Sequence, residues 1–201
     1  MKTVFFDVDT QLDFLYPAGA LYVPQAERLT PVIAHLNRLA ASRGLVVIST
    51  MDAHAEDDPE FRQWPPHCVS NTVGQQKPAM TLLERKVTIP SAPAHLHLNG
   101  AQQILLEKQT TDCFTNPNLR TLLETLQVRR AVVYGVVTEI CVRNAARGLW
   151  ESGTEVVLIT DAIQCLEESK AREFLDEVRQ HGGRLASVAE IEAELQASTV
   201  P

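Results

Sequence analysis

Short apolar runs alternate with amphipathic segments along most of the chain, and this alternation restricts the fold more than any other feature. Runs rich in valine and isoleucine predict strands at 3–8, 45–50, 103–107, 130–136 and 155–160. Apolar residues three and four positions apart predict helices at 25–42, 118–126, 138–151 and 167–180. Continuously apolar strands are typical of a parallel sheet covered on both faces. The sequence therefore predicts an α/β fold with a doubly wound, mainly parallel β-sheet and helices on both faces.

Length and charge restrict the partners of such a fold. The 201 residues predict a single domain, 1–201, and the net charge is −7. No cluster of lysine and arginine is present, so neither nucleic acid nor an anionic membrane is expected as a partner. Asp7, Asp9 and Asp13 interrupt any apolar core of a signal peptide, and the longest apolar run, 131–137, is too short to cross a bilayer. We therefore expect a cytoplasmic protein with a small-molecule partner.

One of the four cysteines occupies a position suited to chemistry. Cys141 lies in GVVTEICV, in the first turn of the helix predicted after strand 130–136. The free N–H groups and the positive dipole end of such a turn stabilise a thiolate, and they can also hold an oxyanion. The alternative is a small buried cysteine in the core.

Two charged residues follow other predicted strands. Ligands of doubly wound sheets bind at the carboxyl ends of the strands, where Asp9 and Lys108 also lie. Alone, Asp9 is typical of a turn and Lys108 of a solvated surface. Together with Cys141 they would supply a proton acceptor, an electrostatic partner and a nucleophile.

The segment 51–100 lacks helical or strand periodicity and holds four of the six histidines. Long irregular connections inside compact domains are usually functional or disordered, and this one is too rich in tryptophan, histidine and cysteine for a linker. It supplies Asp52, His54, Glu60 and His67. Imidazole and carboxylate ligands suit zinc, iron or manganese. The alternative is a polar loop with surface histidines.

Five motifs in this order closely resemble the isochorismatase-like cysteine hydrolase superfamily, and the metal-site motifs are most similar to those of the nicotinamidases. The motifs are DTQLDF at 9–14, DAH at 52–54, WPPHC at 64–68, Lys108 followed by Phe114, and GVVTEICV at 135–142. The resemblance covers residues 7 to about 191. It implies a catalytic triad of Asp9, Lys108 and Cys141. It also implies an oxyanion hole formed by the backbone amides of Val137 and Cys141, beside a cis peptide bond between residues 136 and 137.

The resemblance also implies a metal site. Its ligands fall on Asp52, His54 and His67, and Glu60 stands where many relatives have a second histidine. The implied cofactor is a divalent transition metal, zinc, iron or manganese.

The implied substrate pocket holds a flat ring. The metal would bind the pyridine nitrogen of nicotinamide, Phe14 and Trp64 would sandwich the ring, and Phe114 would form a further wall. Asp112 and Cys113 replace small residues of many relatives near this pocket.

The resemblance implies that the protein hydrolyses nicotinamide to nicotinate and ammonia through a thioester on Cys141, as a homo-oligomer. Three alternatives remain. Asp112 keeps open another small amide as the substrate. An isochorismatase-type hydrolase would cleave a vinyl ether, but the metal motif argues against it. A non-catalytic binding member of the superfamily is opposed by the intact residues Asp9, Lys108 and Cys141.

Overall fold

The computed structural model describes residues 2–197, which form a sheet of seven parallel strands. The spatial order is β3-β4-β2-β1-β5-β6-β7. The strands are β1 (Lys2–Val8), β2 (Val46–Asp52), β3 (Lys86–Ile89), β4 (Gln103–Lys108), β5 (Val128–Val136), β6 (Glu155–Gln164) and β7 (Arg184–Ala186). All five predicted strands are present. β3 and β7 were not predicted, because they are three- and four-residue strands at the sheet edges with few buried side chains.

Helices cover both faces of the sheet. They are α1 (Leu12–Leu15), α2 (Leu29–Ser42), α3 (Leu119–Thr125), α4 (Arg143–Glu151), α5 (Glu168–Gln180) and α6 (Val188–Ala197). Alternate residues of β1 enter different cores: Phe6 packs with the helices α3, α4 and α5, whereas Phe5 packs with α1, α2 and α6. The predicted doubly wound α/β fold is confirmed.

Two predicted helices begin differently. Residues 26–28 form a 3₁₀ turn, so α2 starts at Leu29 rather than at residue 25. Thr138–Val142 form a π-helical turn, and α4 continues from Arg143. The segment 51–100 contains two 3₁₀ turns, Pro59–Arg62 and Ala79–Thr81, together with β3. It is therefore a folded part of the domain, and it packs over the carboxyl ends of the strands.

Gly135 permits the close approach of β5 to the end of β1. Its φ is +121°, and a Cβ there would lie 2.1 Å from the carbonyl oxygen of Val8. Only glycine adopts this conformation without strain and without a side chain in that gap. The peptide bond between Val136 and Val137 that follows is cis, as the resemblance implied. Gly135 thus lets the chain enter the turn that carries Cys141. None of the helices within residues 2–197 is long and apolar enough to span a membrane.

Candidate active site

Four adjacent strands bring four chemically active side chains to one edge of the sheet. Lys108 ends β4, Asp52 ends β2, Asp9 follows β1, and Cys141 lies in the π turn after β5. Because these strands are parallel neighbours, their carboxyl ends meet. All four side chains are buried. The structure therefore places the three residues of the predicted triad together, with Asp52 beside them.

Lys108 lies between two carboxylates. Its Nζ is 2.9 Å from Oδ2 of Asp9, contacts Oδ1 of Asp52, and donates to the carbonyl oxygen of Thr110 at 2.9 Å. Burial lowers the pKa of Lys108, but the charges of Asp52 and Asp9 outweigh burial and raise it well above its ordinary value. The ammonium group is therefore charged at neutral pH.

Asp9 is held in place by the neighbouring strand. The hydroxyl of Thr50 donates to its Oδ1 at 2.6 Å, and its backbone N–H donates to the carbonyl oxygen of Thr50 at 3.2 Å. Burial raises the pKa of Asp9, Lys108 opposes this, and Asp52 adds to it. The result is a carboxylate that accepts a proton more readily than an exposed aspartate.

The thiol of Cys141 is protonated in the resting protein. Burial raises its pKa well above the ordinary value; Lys108 opposes this rise, whereas Asp9 and Asp52 reinforce it. Burial and the two nearby carboxylates outweigh Lys108, and this balance favours the thiol over the thiolate. Attack by the sulfur then requires a base, and Asp9 is the nearby carboxylate that also acts on the pKa of the thiol.

Asp52, His54 and His67 form a buried cluster on the other side of Lys108. Ligand atoms of the three residues all lie within 4.8 Å of one another. Oδ2 of Asp52 is 3.8 Å from Nε2 of His54 and 3.6 Å from Nε2 of His67. Burial raises the pKa of Asp52, but Lys108 and the two histidines outweigh it and hold the pKa well below its usual range. Asp52 is therefore an ionised ligand.

The outer nitrogens of both imidazoles are already hydrogen bonded. Nδ1 of His67 donates to the carbonyl oxygen of Pro65 at 2.8 Å, and Nδ1 of His54 lies 3.0 Å from Oδ2 of Asp58. A carbonyl oxygen only accepts, so in a neutral imidazole this bond leaves the lone pair of His67 on Nε2. Within residues 2–197, Nε2 of His54 has no hydrogen-bond partner although it is buried. Such outer hydrogen bonds are typical of metal-binding histidines, so these residues fit a divalent transition metal.

Glu60 lies beside this cluster without joining it. It lines the same cavity and is half-buried, but its oxygens are not among the ligand atoms within 4.8 Å. Burial and the charge of Asp52 raise its pKa. A role for Glu60 as a fourth ligand stays a prediction.

A cavity of about 60 Å³ opens onto Cys141. Phe14 and Trp64, the two predicted ring contacts, line it, as does Val137 of the predicted oxyanion hole. Six further lining residues were not predicted: Leu21, Tyr22, Val23, Thr111, Ile140 and Leu166. They lie in turns or at element ends, where sequence periodicity does not indicate side-chain direction.

Phe114 does not line this cavity, so its predicted role as a pocket wall is wrong. Its ring fills the space beside Gly148 in α4, where a Cβ would lie 2.1 Å from Cδ2 of the ring. The guanidinium of Arg120 lies over the same ring, 5.3 Å from its centroid. Asp112 accepts from the N–H of Phe114 at 2.9 Å, and Cys113 is buried in the core. Thr111 is the residue of this turn that faces the cavity.

Gln11 and Asp58 support the site and were not singled out from the sequence. The side-chain amide of Gln11 donates to the carbonyl oxygens of Asp52 and Gln75, both at 2.8 Å, and its Oε1 accepts from the N–H of Asp52 at 2.6 Å. Gln11 belongs to DTQLDF, and a buried amide inside that motif was the available signal. No pattern marked Asp58 as the partner of His54.

A thiol, a carboxylate and an ammonium group at the carboxyl edge of a parallel sheet, beside a histidine–carboxylate cluster, define a cysteine hydrolase of the α/β class. The family model for the isochorismatase domain matches residues 3–190. The chain belongs to the isochorismatase family and is a cysteine hydrolase of that superfamily, as the sequence motifs predicted.

Individual relatives extend this comparison. The nicotinamidase of Escherichia coli is 25% identical, over 92% of this chain and 94% of the relative. The solved structure of the pyrazinamidase of Pyrococcus horikoshii in complex with zinc is 27% identical, with a TM-score of 0.79 over 93% of this chain and 99% of that one. The N-carbamoylsarcosine amidase of Thermoplasma acidophilum, 23% identical with a TM-score of 0.75 over 93% and 96%, shares the fold.

Proposed function

We propose that this protein is a metal-containing amidohydrolase that converts nicotinamide to nicotinate and ammonia through a thioester on Cys141. The observation that carries the proposal is that Asp9 and Lys108 lie at one sheet edge with Cys141, which lines a cavity together with Asp52 and His67. The nicotinamidase and the zinc-containing pyrazinamidase among the relatives support the substrate class.

The first half of the reaction forms the thioester. Asp9 accepts the proton of the Cys141 thiol as the sulfur attacks the amide carbonyl carbon. The backbone N–H groups of Val137 and Cys141 hold the oxygen that becomes negative. Asp9 then returns the proton to the amide nitrogen, the C–N bond breaks, and ammonia leaves. Lys108 stays charged throughout and balances the charge of Asp9.

The second half releases the acid. Asp9 accepts a proton from a water molecule whose oxygen attacks the thioester carbonyl carbon. The same two backbone amides hold the oxyanion. When the C–S bond breaks, Asp9 returns the proton to the sulfur of Cys141, and the carboxylic acid leaves. One base therefore serves both halves, and its raised pKa suits both proton transfers.

Substrate orientation depends on the other end of the cavity. Asp52, His54 and His67 would hold a divalent transition metal, which supplies a Lewis-acidic partner for a ring nitrogen. Phe14 and Trp64 would lie against the faces of the ring. The carboxamide would then point at Cys141, away from bulk water.

Ammonia release from a panel of amides tests the proposal. We expect the zinc-supplemented wild type to act on nicotinamide and pyrazinamide, and much less on benzamide, which lacks the ring nitrogen. Cys141→Ala should lose turnover by at least about 10⁴-fold, and intact-mass analysis should find an acyl adduct only when the thiol is present. Cys113→Ala, which removes a buried thiol outside the cavity, is the matched control. No release from any pyridine carboxamide would reject nicotinamidase activity and leave another small amide as the substrate.

A further inference from the structure

Leu166 is an apolar side chain left in solvent at the mouth of the active-site cavity. It is 46% exposed, and among residues 2–197 the other large exposed hydrophobic residues are Val73 and Met80. Of these three, Leu166 alone lines the cavity that contains Cys141. When a ligand covers an exposed leucine, apolar surface is removed from water, and this contributes favourable free energy to binding.

The main chain of Leu166 is fixed by a buried carboxylate. Oε1 of Glu139 accepts two backbone hydrogen bonds, from the N–H of Leu166 at 2.9 Å and from the N–H of Glu167 at 2.7 Å. Glu139 is buried and lies two residues before Cys141, in the same π turn. Within the described chain, no group donates to its second oxygen, Oε2.

Glu139 therefore links the backbone at the cavity mouth to the turn that carries the nucleophile. Leu166 follows β6, 25 positions after Cys141 in the chain, yet the same turn holds both. Hydrogen bonds to a carboxylate are stronger than those between neutral groups, and burial excludes competing water. The two hydrogen bonds therefore fix the backbone at Leu166, and the backbone in turn places the exposed side chain beside the cavity.

We propose that Leu166 is a specificity-determining residue that covers an uncharged, flat ring of the bound amide, and that Glu139 is the positioning residue that holds it. The proposal rests on the proposed function for the substrate, an aromatic carboxamide. It adds a residue on the β6–α5 connection to the ring contacts proposed for Phe14 and Trp64. A leucine at the mouth disfavours amides with a charged or strongly polar group in place of the ring.

Leu166→Ala tests the first part. Loss of about half a leucine side chain of ring contact should raise the KM for nicotinamide about fivefold to tenfold and leave kcat within about twofold. Val73→Ala, at an exposed apolar residue outside the cavity, is the matched control and should leave both constants unchanged. An unchanged KM in Leu166→Ala, or a loss confined to kcat, would overturn the assignment.

Substitutions of Glu139 test the second part. Glu139→Gln keeps one oxygen that accepts both N–H groups, so its KM should stay near that of the wild type. Glu139→Ala should raise KM as much as Leu166→Ala does, and the double variant should be no worse than either single one. Equal damage from Gln and Ala, or additive effects in the double variant, would contradict the positioning role. If the alanine variant does not fold, the glutamine variant alone still decides whether the charge is needed.

A measurement without substrate separates this inference from the proposed function. Hydrogen exchange of the Leu166 and Glu167 amides should accelerate at least tenfold in Glu139→Ala and stay near wild type in Glu139→Gln. Unchanged exchange in the alanine variant would show that Glu139 does not hold these two amides, whatever the substrate is. If the wild type is inactive on nicotinamide, the proposed function fails, and the KM comparison is made with the amide that the panel identifies.

Discussion

Two buried lysines each pair with an aspartate near the end of β1, and they differ in what surrounds the charge. Nζ of Lys77 is 3.2 Å from Oδ2 of Asp7 and donates to the hydroxyl of Thr10 at 2.8 Å. The hydroxyls of Thr10 and Ser49 donate to the same carboxylate at 2.6 and 2.8 Å. One positive charge thus meets one negative charge, and hydroxyl groups occupy the remaining positions.

Lys108 meets two carboxylates instead of one. Asp9 and Asp52 both contact its Nζ, the hydroxyl of Thr50 donates to Asp9, and a thiol and two imidazoles lie beside the two carboxylates. A single ammonium group balances only one of the two charges, so the cluster keeps one negative charge in excess. That excess suits a bound cation at Asp52, and the charge of Asp52 adds to burial in raising the pKa of Asp9 for proton transfer. A balanced buried pair holds structure together, whereas an unbalanced one is available for chemistry.

The largest expected difference between the clusters is in turnover. Lys108→Met leaves Asp9 without its cation, so the pKa of Asp9 rises further and less of the base is ionised. We expect kcat/KM to fall at least about 10³-fold. Lys77→Met, assayed at a temperature at which it is folded, should keep turnover within about threefold. Steady-state ammonia release by both variants checks this, and equal losses would remove the distinction.

The Lys77 cluster should matter for the stability of the fold rather than for turnover. Lys77→Met leaves the Asp7 carboxylate buried without a cation and should lower the free energy of unfolding by about 3 kcal/mol. Asp7→Asn combined with Lys77→Met removes both charges and should recover most of that loss. Urea unfolding followed by circular dichroism measures both. A double variant as unstable as the single one would show that packing of the lysine stem, rather than charge, dominates.

Metal addition should act on one cluster only. Zinc at a hundredfold excess over its Kd should stabilise the metal-free wild type by about 2.7 kcal/mol. A chelator should abolish turnover and leave the circular dichroism spectrum unchanged. His54→Ala with His67→Ala should show no zinc-dependent rise in Tm, whereas Lys77→Met should show the full rise. Full activity after chelation would reject Asp52, His54 and His67 as a working metal site.

The smallest predicted effect concerns acid pH. Asp9 must be ionised to accept the thiol proton, and burial raises its pKa above 3.8. Activity should therefore be present above that raised pKa and fall as the pH drops through it. The acid limb of kcat/KM should lie above pH 3.8 in the wild type and at the same pH in Lys77→Met. A limb below pH 3.8 would remove Asp9 as the titrating base.

The two clusters also show how far sequence reasoning extends. The positions of Asp9, Lys108 and Cys141 after predicted strands indicated that these side chains meet, because parallel strands end at one edge. The place of Asp52 beside them was not predicted. Lys77 has no such signal, since it lies in an irregular segment 70 residues from Asp7. For the same reason Phe114 was placed wrongly: whether it or Thr111 faces the cavity depends on one short turn. Leu166 lies in the irregular connection after β6, where its position depends on a hydrogen bond to Glu139 that no sequence pattern indicates.

Because of the strand order, the accessibility of Cys141 reports on whether the sheet has formed. Neighbours in the sheet carry Lys108, Asp52, Asp9 and Cys141, so the site is complete only after segments more than 130 residues apart have paired. Contacts at such separation form slowly. Until they form, the sulfur is solvated and its pKa lies near that of an ordinary free thiol, so an alkylating reagent competes with folding. Once β5 pairs with β1, burial protects the sulfur from the reagent. The fraction of alkylated Cys141 therefore measures the fraction of molecules in which β1 and β5 had not yet paired.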